Sequence, residues 1–409
     1  MKRSLLLSGL FFLLAASIAH GDEKSWTTVQ RGLYLTRAGD CVACHTVDPE
    51  KPYAGNFSLE TPFGDIYTAN LTPDRQTGIG TWTPDDFFRA MTTGREKDGS
   101  RLYPAFPYTH FTIITREDSD AIFAYLQTLE PVNERVREPD FMWPLNWRFV
   151  TWGWNLINFE PQAFTPESNK PDEWNRGKYL VEGLAHCAMC HSPKNMLGAE
   201  KDGEDSFTGG DVEGWWAPSL TGDKRDGLGT WTKQQLVDFL KYGRNEKSAA
   251  FGPMADVIKH STRHLRDEDL AAIAAYIKDL PARAQSEENA NGEPVESSAQ
   301  RVGAEIYAAQ CSACHAPGGE GVPTMFAPLK GSALAQSANP LTIIRLILEG
   351  GQTAVSDKYP TPHAMPSFAW KLTDDEIAAV ATYVRNSFGN RAPAVSAGEV
   401  AEIRSALDN

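Results

Sequence analysis

Cys41-Val-Ala-Cys44-His45, Cys187-Ala-Met-Cys190-His191 and Cys311-Ser-Ala-Cys314-His315 repeat one frame, C-x-x-C-H, and use all six cysteines of the 409-residue chain. Two thiols three positions apart can add to the two vinyl groups of one haem, and the histidine that follows places an imidazole beneath the iron. A zinc site needs a fourth ligand and usually a second paired element; a thioredoxin-like centre needs a βαβ context and no histidine after the second cysteine. A disulfide framework is the ordinary reading of six cysteines in an exported chain, but it does not explain the repeated histidine. The pattern therefore predicts three haem c groups, held covalently by Cys41, Cys44, Cys187, Cys190, Cys311 and Cys314, with His45, His191 and His315 as proximal iron ligands.

Self-similarity extends outward from these motifs. Each follows a short helical pattern containing a glycine: Arg31-Gly32-Leu-Tyr34-Leu35, Arg176-Gly177-Lys-Tyr179-Leu180 and Val302-Gly303-Ala-Glu-Ile306-Tyr307. Glycine there permits two helices to cross closely. Each repeat ends in another helical stretch, Ile122 to Leu129, Leu270 to Leu280 and Glu376 to Phe388, expected to pack on the glycine face. In the last, Thr373 and Glu376 form a capping box, and Ile377, Val380, Ala381 and Val384 follow helical spacing. Repeats one and two also share Thr77-Gly-Ile-Gly-Thr-Trp82-Thr83 and Asp226-Gly-Leu-Gly-Thr-Trp231-Thr232, each followed by Gly-Arg at 94–95 and 243–244.

The boundaries that follow are a signal peptide at 1–21, a first domain at 22–165 with an aromatic connector at 140–164, and a second domain at 166–284. A polar linker at 285–297, a third domain at 298–394 and a C-terminal tail or terminal helix at 395–409 complete the chain. The connector holds Trp143, Trp147, Trp152 and Trp154; such a concentration of large aromatics suits inter-domain packing or a partner-docking surface.

An electron-transfer haem normally has both axial positions filled, often by methionine opposite histidine. Met365, in Pro362-His-Ala-Met-Pro-Ser, and Met254, in Phe251-Gly-Pro-Met, precede the last helices of repeats three and two and are the expected distal ligands. Met325 and His363 compete in repeat three; His260, His264, Met189 and Met196 compete in repeat two. Repeat one departs from the pattern, because Phe106 stands in the methionine place and a phenyl ring cannot bind iron. His110 is the expected substitute, with Met91 as the alternative. The other ring nitrogen of each proximal histidine needs a hydrogen-bond acceptor. Pro218 and Pro328 lie at the matching places after motifs two and three, and Ala69 after motif one.

Residues 1–21 combine Lys2 and Arg3, an apolar run from Leu5 to Ile18, and small residues at Ala19 and Gly21, the signature of an export signal. Its removal takes the 39 basic residues to 37 against 53 acidic, from a net charge of −14 to −16, which disfavours nucleic acid as a partner. No later stretch has the length and apolarity of a membrane span. The expected location is the periplasm, peripheral on the outer face of the cytoplasmic membrane.

With Leu102-Tyr-Pro-Ala-Phe-Pro-Tyr108, Pro144-Leu-Asn-Trp147, Gly252-Pro-Met254 and Ala364-Met-Pro-Ser-Phe368 added to the three haem motifs, the chain resembles a known family over nearly all its mature length. That family is the three-haem cytochrome c subunit of bacterial membrane-associated dehydrogenases. It serves quinoprotein alcohol dehydrogenases, flavin-dependent gluconate, sorbitol and fructose dehydrogenases, and molybdenum hydroxylases. The resemblance implies an all-α fold of three tandem class I cytochrome c domains, each around one haem. It also implies a catalytic partner subunit, which is a molybdenum hydroxylase, a flavoprotein or a quinoprotein. Phe-Pro-Tyr-x-His-Phe is more similar to cytochromes that accompany molybdenum hydroxylases than to the alcohol and gluconate branches, where methionine usually stands at the place of Phe106; this implies His110 as the first haem's ligand.

The expected function is an electron relay, with no catalysis of its own, from the partner dehydrogenase to quinone or a terminal oxidase. Two rivals are a peroxidase-like enzyme using an open first haem and a free periplasmic shuttle. The aromatic connector argues against the shuttle, because such surface is usually covered.

Overall fold

The structure, a computed structural model, describes residues 26–283 and 297–407. The expected signal peptide lies outside the described residues, as does the expected linker except for Ser297. The described residues form two compact units. One runs to Gly153 and includes Pro161–Ala163; the other holds Trp154–Glu160 and everything from Phe164 onward. The first repeat makes up one unit, and the second and third repeats share the other.

One crossing recurs in all three repeats. The helix over residues 26–38 meets Arg116–Leu126, Asp172–Lys178 meets Asp267–Ile277, and Ser297–Ile306 meets Asp374–Arg385. Glycine sits at each crossing point. A Cβ on Gly32 would lie 1.9 Å from the Ala121 carbonyl oxygen, on Gly177 2.0 Å from Ala272 O, and on Gly303 2.3 Å from Ala379 O. Tyr125, Tyr276 and Tyr383 cover the same three glycines. In repeats one and two the residue before the glycine adds a charged clamp. Arg31 reaches the buried Asp118 at 2.6 Å, and Arg176 holds the equally buried Asp269 with a fork of 2.8 and 2.9 Å.

Two of the last helices begin earlier than hydrophobic spacing indicates, at Arg116 and Asp267, because their first turns are acidic rather than apolar and complement the positive end of the helix; the third begins at Asp374, directly after its expected cap. Thr373 and Glu376 make the expected capping box. Thr83 with Asp86, and Thr232 with Gln235, make the same box at the starts of helices Pro84–Thr93 and Lys233–Tyr242. Gly94 and Gly243 then close those helices at φ of 61° and 76°, a left-handed conformation in which a Cβ is costly. The motif shared by repeats one and two is thus a helix start and the Gly-Arg pair its stop.

Helices carry the cores, and short antiparallel β pieces accompany them. Ser58–Thr61 pairs with Gly64–Tyr67, which also pairs with Asp140–Phe141, so the aromatic connector begins inside the first unit's sheet. Gly210–Val212 pairs with Trp215–Ala217, and Gly351–Gln352 with Ala364–Met365. Ala397–Leu407, within the expected tail or terminal helix, is a helix whose Val400 is fully buried in the third repeat's core. Its Arg404 binds Asp374 Oδ1 at 2.8 Å and the carbonyls of Ala369 and Leu372 at 2.8 and 3.0 Å.

Within the shared unit, the Thr342 hydroxyl donates to Trp216 O (3.0 Å) and accepts from Trp216 N (2.8 Å). Arg345 donates to the carbonyls of Glu213 and Gly214, each at 2.9 Å, and stacks over Trp215.

This packing sets the expected effect of two glycine substitutions. Gly177→Ala drives a methyl into a backbone carbonyl and should destabilise the holoprotein by about 1–3 kcal/mol in urea unfolding. Gly153→Ala, in the helix Val150–Asn158, meets no atom within 4 Å and should stabilise by roughly 0.5–1 kcal/mol. Asp226 is buried beside Asp223, where the first repeat has Thr77, and burial followed by its neighbour's carboxylate raises its pKa from 3.8 to about 7. Because the raised value belongs to the folded state, this group's stabilising contribution is complete below about pH 3.8 and lost as pH rises through 7. The Asp226→Asn variant should lack that decline when unfolding midpoints are measured across the same window.

Candidate functional site

Each C-x-x-C-H frame ends in a short helical turn: Cys41–His45, Ala188–His191 and Ser312–His315. In repeats two and three the approaching helix widens into a π-helical turn, Tyr179–Leu184 and Tyr307–Cys311, just before the cysteines. None of the six cysteines is in a disulfide. Burial pushes the first thiol of each frame up, Cys41 and Cys187 to about 12 and Cys311 to about 11, so all three are neutral thiols at physiological pH.

The three imidazoles are held alike. His45 Nδ1 lies 2.6 Å from Ala69 O, His191 Nδ1 2.7 Å from Pro218 O, and His315 Nδ1 2.9 Å from Ala327 O. A carbonyl only accepts, so Nδ1 carries the proton in each ring and Nε2 is left with its lone pair, the tautomer that an iron ligand needs. Burial lowers all three pKa values and favours neutral rings; the carbonyl contacts oppose it more weakly. Ala69 and Pro218 are at the expected acceptor places. In repeat three the acceptor is Ala327 rather than Pro328, because successive carbonyls of an extended chain point to opposite sides and only one of two neighbours can face the ring.

Met365 ends the strand Ala364–Met365 and packs, half-buried, on the same apolar core as Cys311, Tyr307 and Phe368. Its backbone rests against Gly350, where a Cβ would lie 2.4 Å from Met365 O at φ 77°. The following turn is pinned to helix Leu341–Glu349 by Phe368 N to Ile347 O (2.9 Å) and by the Ser367 hydroxyl to Leu348 O (2.5 Å). Met254 lies in the first turn of Gly252–His260 and packs against Ala250, Ile258 and Ala354.

His110 is buried in the short helix Tyr108–Phe111, behind Phe106, whose ring packs edge-on against Phe111 with centroids 5.5 Å apart. Met91 is buried in Pro84–Thr93, the helix against which that segment packs, so both candidates for the first haem occupy one region.

The competing residues fall elsewhere. Met325 and Met196 are exposed, and Met189 is half-buried inside its cysteine frame. His264 is exposed and its Nε2 lies 3.1 Å from Lys259 O; His260 is half-buried at a helix end. His363 Nδ1 accepts from Arg244 at 2.7 Å. That buried arginine was visible in the sequence only as part of the repeated Gly-Arg pair.

Two thiols and a neutral, carbonyl-anchored imidazole in each frame, with Cys311 and Met365 on one apolar core, fit a thioether-bound haem. The Cytochrome c family profile matches residues 29–130, 175–281 and 301–388. The chain is 40% identical to the gluconate 2-dehydrogenase cytochrome c subunit of Pantoea cypripedii over 99% of its own length and 95% of that protein's. It is 36% identical to the cytochrome c subunit of alcohol dehydrogenase (quinone) from Gluconobacter oxydans, covering 99% of this chain and 88% of the relative. A nicotinate dehydrogenase subunit of Pseudomonas putida is also 36% identical over 93% of this chain, which spans 32% of that longer protein. The sequence motifs, the repeated geometry and these matches agree: the chain belongs to the cytochrome c family, alongside the cytochrome c subunits of bacterial dehydrogenases.

Proposed function

We propose that this chain is the electron-transfer subunit of a dehydrogenase complex, with one haem c in each of three domains at about 22–165, 166–284 and 298–394. The observation that carries this reading is the threefold Cys-Cys-His frame with each imidazole Nδ1 committed to a carbonyl. When bound, each haem supplies an iron that gains and loses one electron at a time. His45, His191 and His315 would hold the three irons through Nε2, and Met254, Met365 and His110 would supply the second protein ligand of each. Thioether ligation raises a haem's potential and imidazole lowers it relative to methionine, so the first haem is the most reducing of the three. Electrons pass from a catalytic partner to quinone or a terminal oxidase, and this chain performs no substrate chemistry alone. The relatives' names favour a dehydrogenase partner without selecting a flavin, quinone-cofactor or molybdenum type. With export directed by the leader at 1–21, the chain works in the periplasm, peripheral on the cytoplasmic membrane.

The connector supports a partner subunit. In the first unit, Met142, Trp143, Trp147, Phe149 and Trp152 are exposed, while Thr151 is buried. Large aromatics held in water beside a buried polar residue are the reverse of an ordinary surface. Trp143, at 73% exposure, and Trp147 stack edge to face. We assign this face to the catalytic subunit.

Haem content and magnetic circular dichroism with redox titration test the first part. Wild type should carry three low-spin haems; Met254→Leu and Met365→Leu should each remove one far-red methionine-to-iron band, and His110→Ala should remove a bis-histidine signature. A high-spin haem in wild type that answers cyanide or peroxide would favour the enzyme reading instead. For the second part, Trp143→Ala with Trp147→Ala should weaken capture of the purified catalytic subunit at least tenfold, about 1.4 kcal/mol, with haem spectra unchanged. Undiminished capture would place the docking surface elsewhere.

A further inference from the structure

Arg244 is 1% exposed, among the most buried large side chains of the molecule. It leaves the second repeat immediately after the helix stop at Gly243, yet everything it binds belongs to the third. Nη1 donates to His363 Nδ1 (2.7 Å) and Thr324 O (3.4 Å); Nη2 donates to Thr361 O (3.1 Å) and Ala354 O (3.4 Å). The guanidinium lies over the Tyr359 ring, 4.7 Å from its centroid. Guanidinium only donates, so His363 accepts through Nδ1 and is a neutral ring.

Two features set this arginine apart from the clamps at Arg31 and Arg176. Its Nε is buried with no hydrogen-bond partner, and among the described residues no carboxylate binds it. A guanidinium removed from water normally has an anion beside it. All its acceptors are neutral, and three of the four belong to the segments that flank Met365: Thr361 and His363 lie four and two residues before it, and Ala354 lies on the chain leaving the strand that pairs with Ala364–Met365, while Thr324 lies in a separate turn of the third repeat. Ala354 also packs in the cluster that holds Met254. The uncompensated charge therefore sits where the methionine-bearing segments of the second and third repeats meet, and haem is a dicarboxylate.

We propose that Arg244 receives a propionate carboxylate of the haem attached at Cys311 and Cys314, while its remaining N–H groups hold the loop that presents Met365. It is a positioning residue supplied by one haem domain to the next, and it ties the third haem's potential to an intact junction with the second domain. The inference rests on reading Cys311, Cys314 and His315 as a haem attachment site.

The test uses the full-length holoprotein carrying Arg244→Gln or Arg244→Lys, with haem content, redox titration and the far-red methionine band as readouts. The couple that Met365→Leu displaces identifies the third haem. Arg244→Gln should lower that couple's reduction equilibrium about tenfold, ~59 mV for one electron, and leave the other two in place. Arg244→Lys keeps the charge and should recover most of the shift while the methionine band stays weakened by loss of the fork. Three bound haems with the third couple unmoved by Gln, or moved equally by Gln and Lys, would overturn the proposal alone. A wild-type chain with no haem at Cys311 and Cys314 would overturn the reading beneath it as well.

Discussion

The close crossing of the first and last helix in each repeat is the contact on which the remaining geometry depends. With a glycine backed directly onto a carbonyl of the partner helix, the two axes approach closer than any side chain would allow, and the tyrosine one turn on closes over the gap. The cysteine frame begins eight to ten residues after that glycine, on the continuation of the same helix or the turn that ends it, so the crossing constrains where both thiols and the imidazole sit. Three copies of one constraint give three copies of one site. The charged clamps Arg31–Asp118 and Arg176–Asp269 reinforce it in two of them, and the third relies on the added C-terminal helix.

From that anchor each site is assembled from parts that are distant in sequence. The imidazole is oriented by a carbonyl 24, 27 or 12 residues away, and the candidate ligand Met365 arrives on a loop pinned to a separate helix. The tautomer of each ring is set by a backbone group, which mutation of side chains does not easily disturb. The proximal half of the site is therefore the most uniform part of the molecule. The candidates for the distal position sit on different local structures: a strand end for Met365, a helix start for Met254, and a short helix just after Phe106 for His110.

The second and third repeats are more than tandem copies, since one compact unit contains both. Thr342, Arg345 and Arg244 cross their boundary, two of them by bonding to main-chain carbonyls and Thr342 to both main-chain groups of Trp216. A junction of this kind fixes the relation between the two methionine-bearing segments, which suits a relay in which electron transfer falls steeply with separation.

The sequence by itself determined the cofactor chemistry, the threefold repetition, the crossing glycines and the methionine candidates, because all of these are local: covalent attachment needs a fixed spacing, and a helix crossing needs a residue without a side chain. It also located Thr373 with Glu376 and the Gly-Arg pairs, though it did not show that the latter are helix stops. Helix starts at Arg116 and Asp267 escaped hydrophobic spacing because charge complementarity rather than burial sets them. Only the tertiary structure decided that Ala327 rather than Pro328 faces His315, that Thr151 is buried while Trp152 is exposed, and that Arg244 spends its hydrogen bonds on the neighbouring repeat. Each depends on which way a group points once distant segments have packed, and a linear pattern records spacing along the chain, not direction in space.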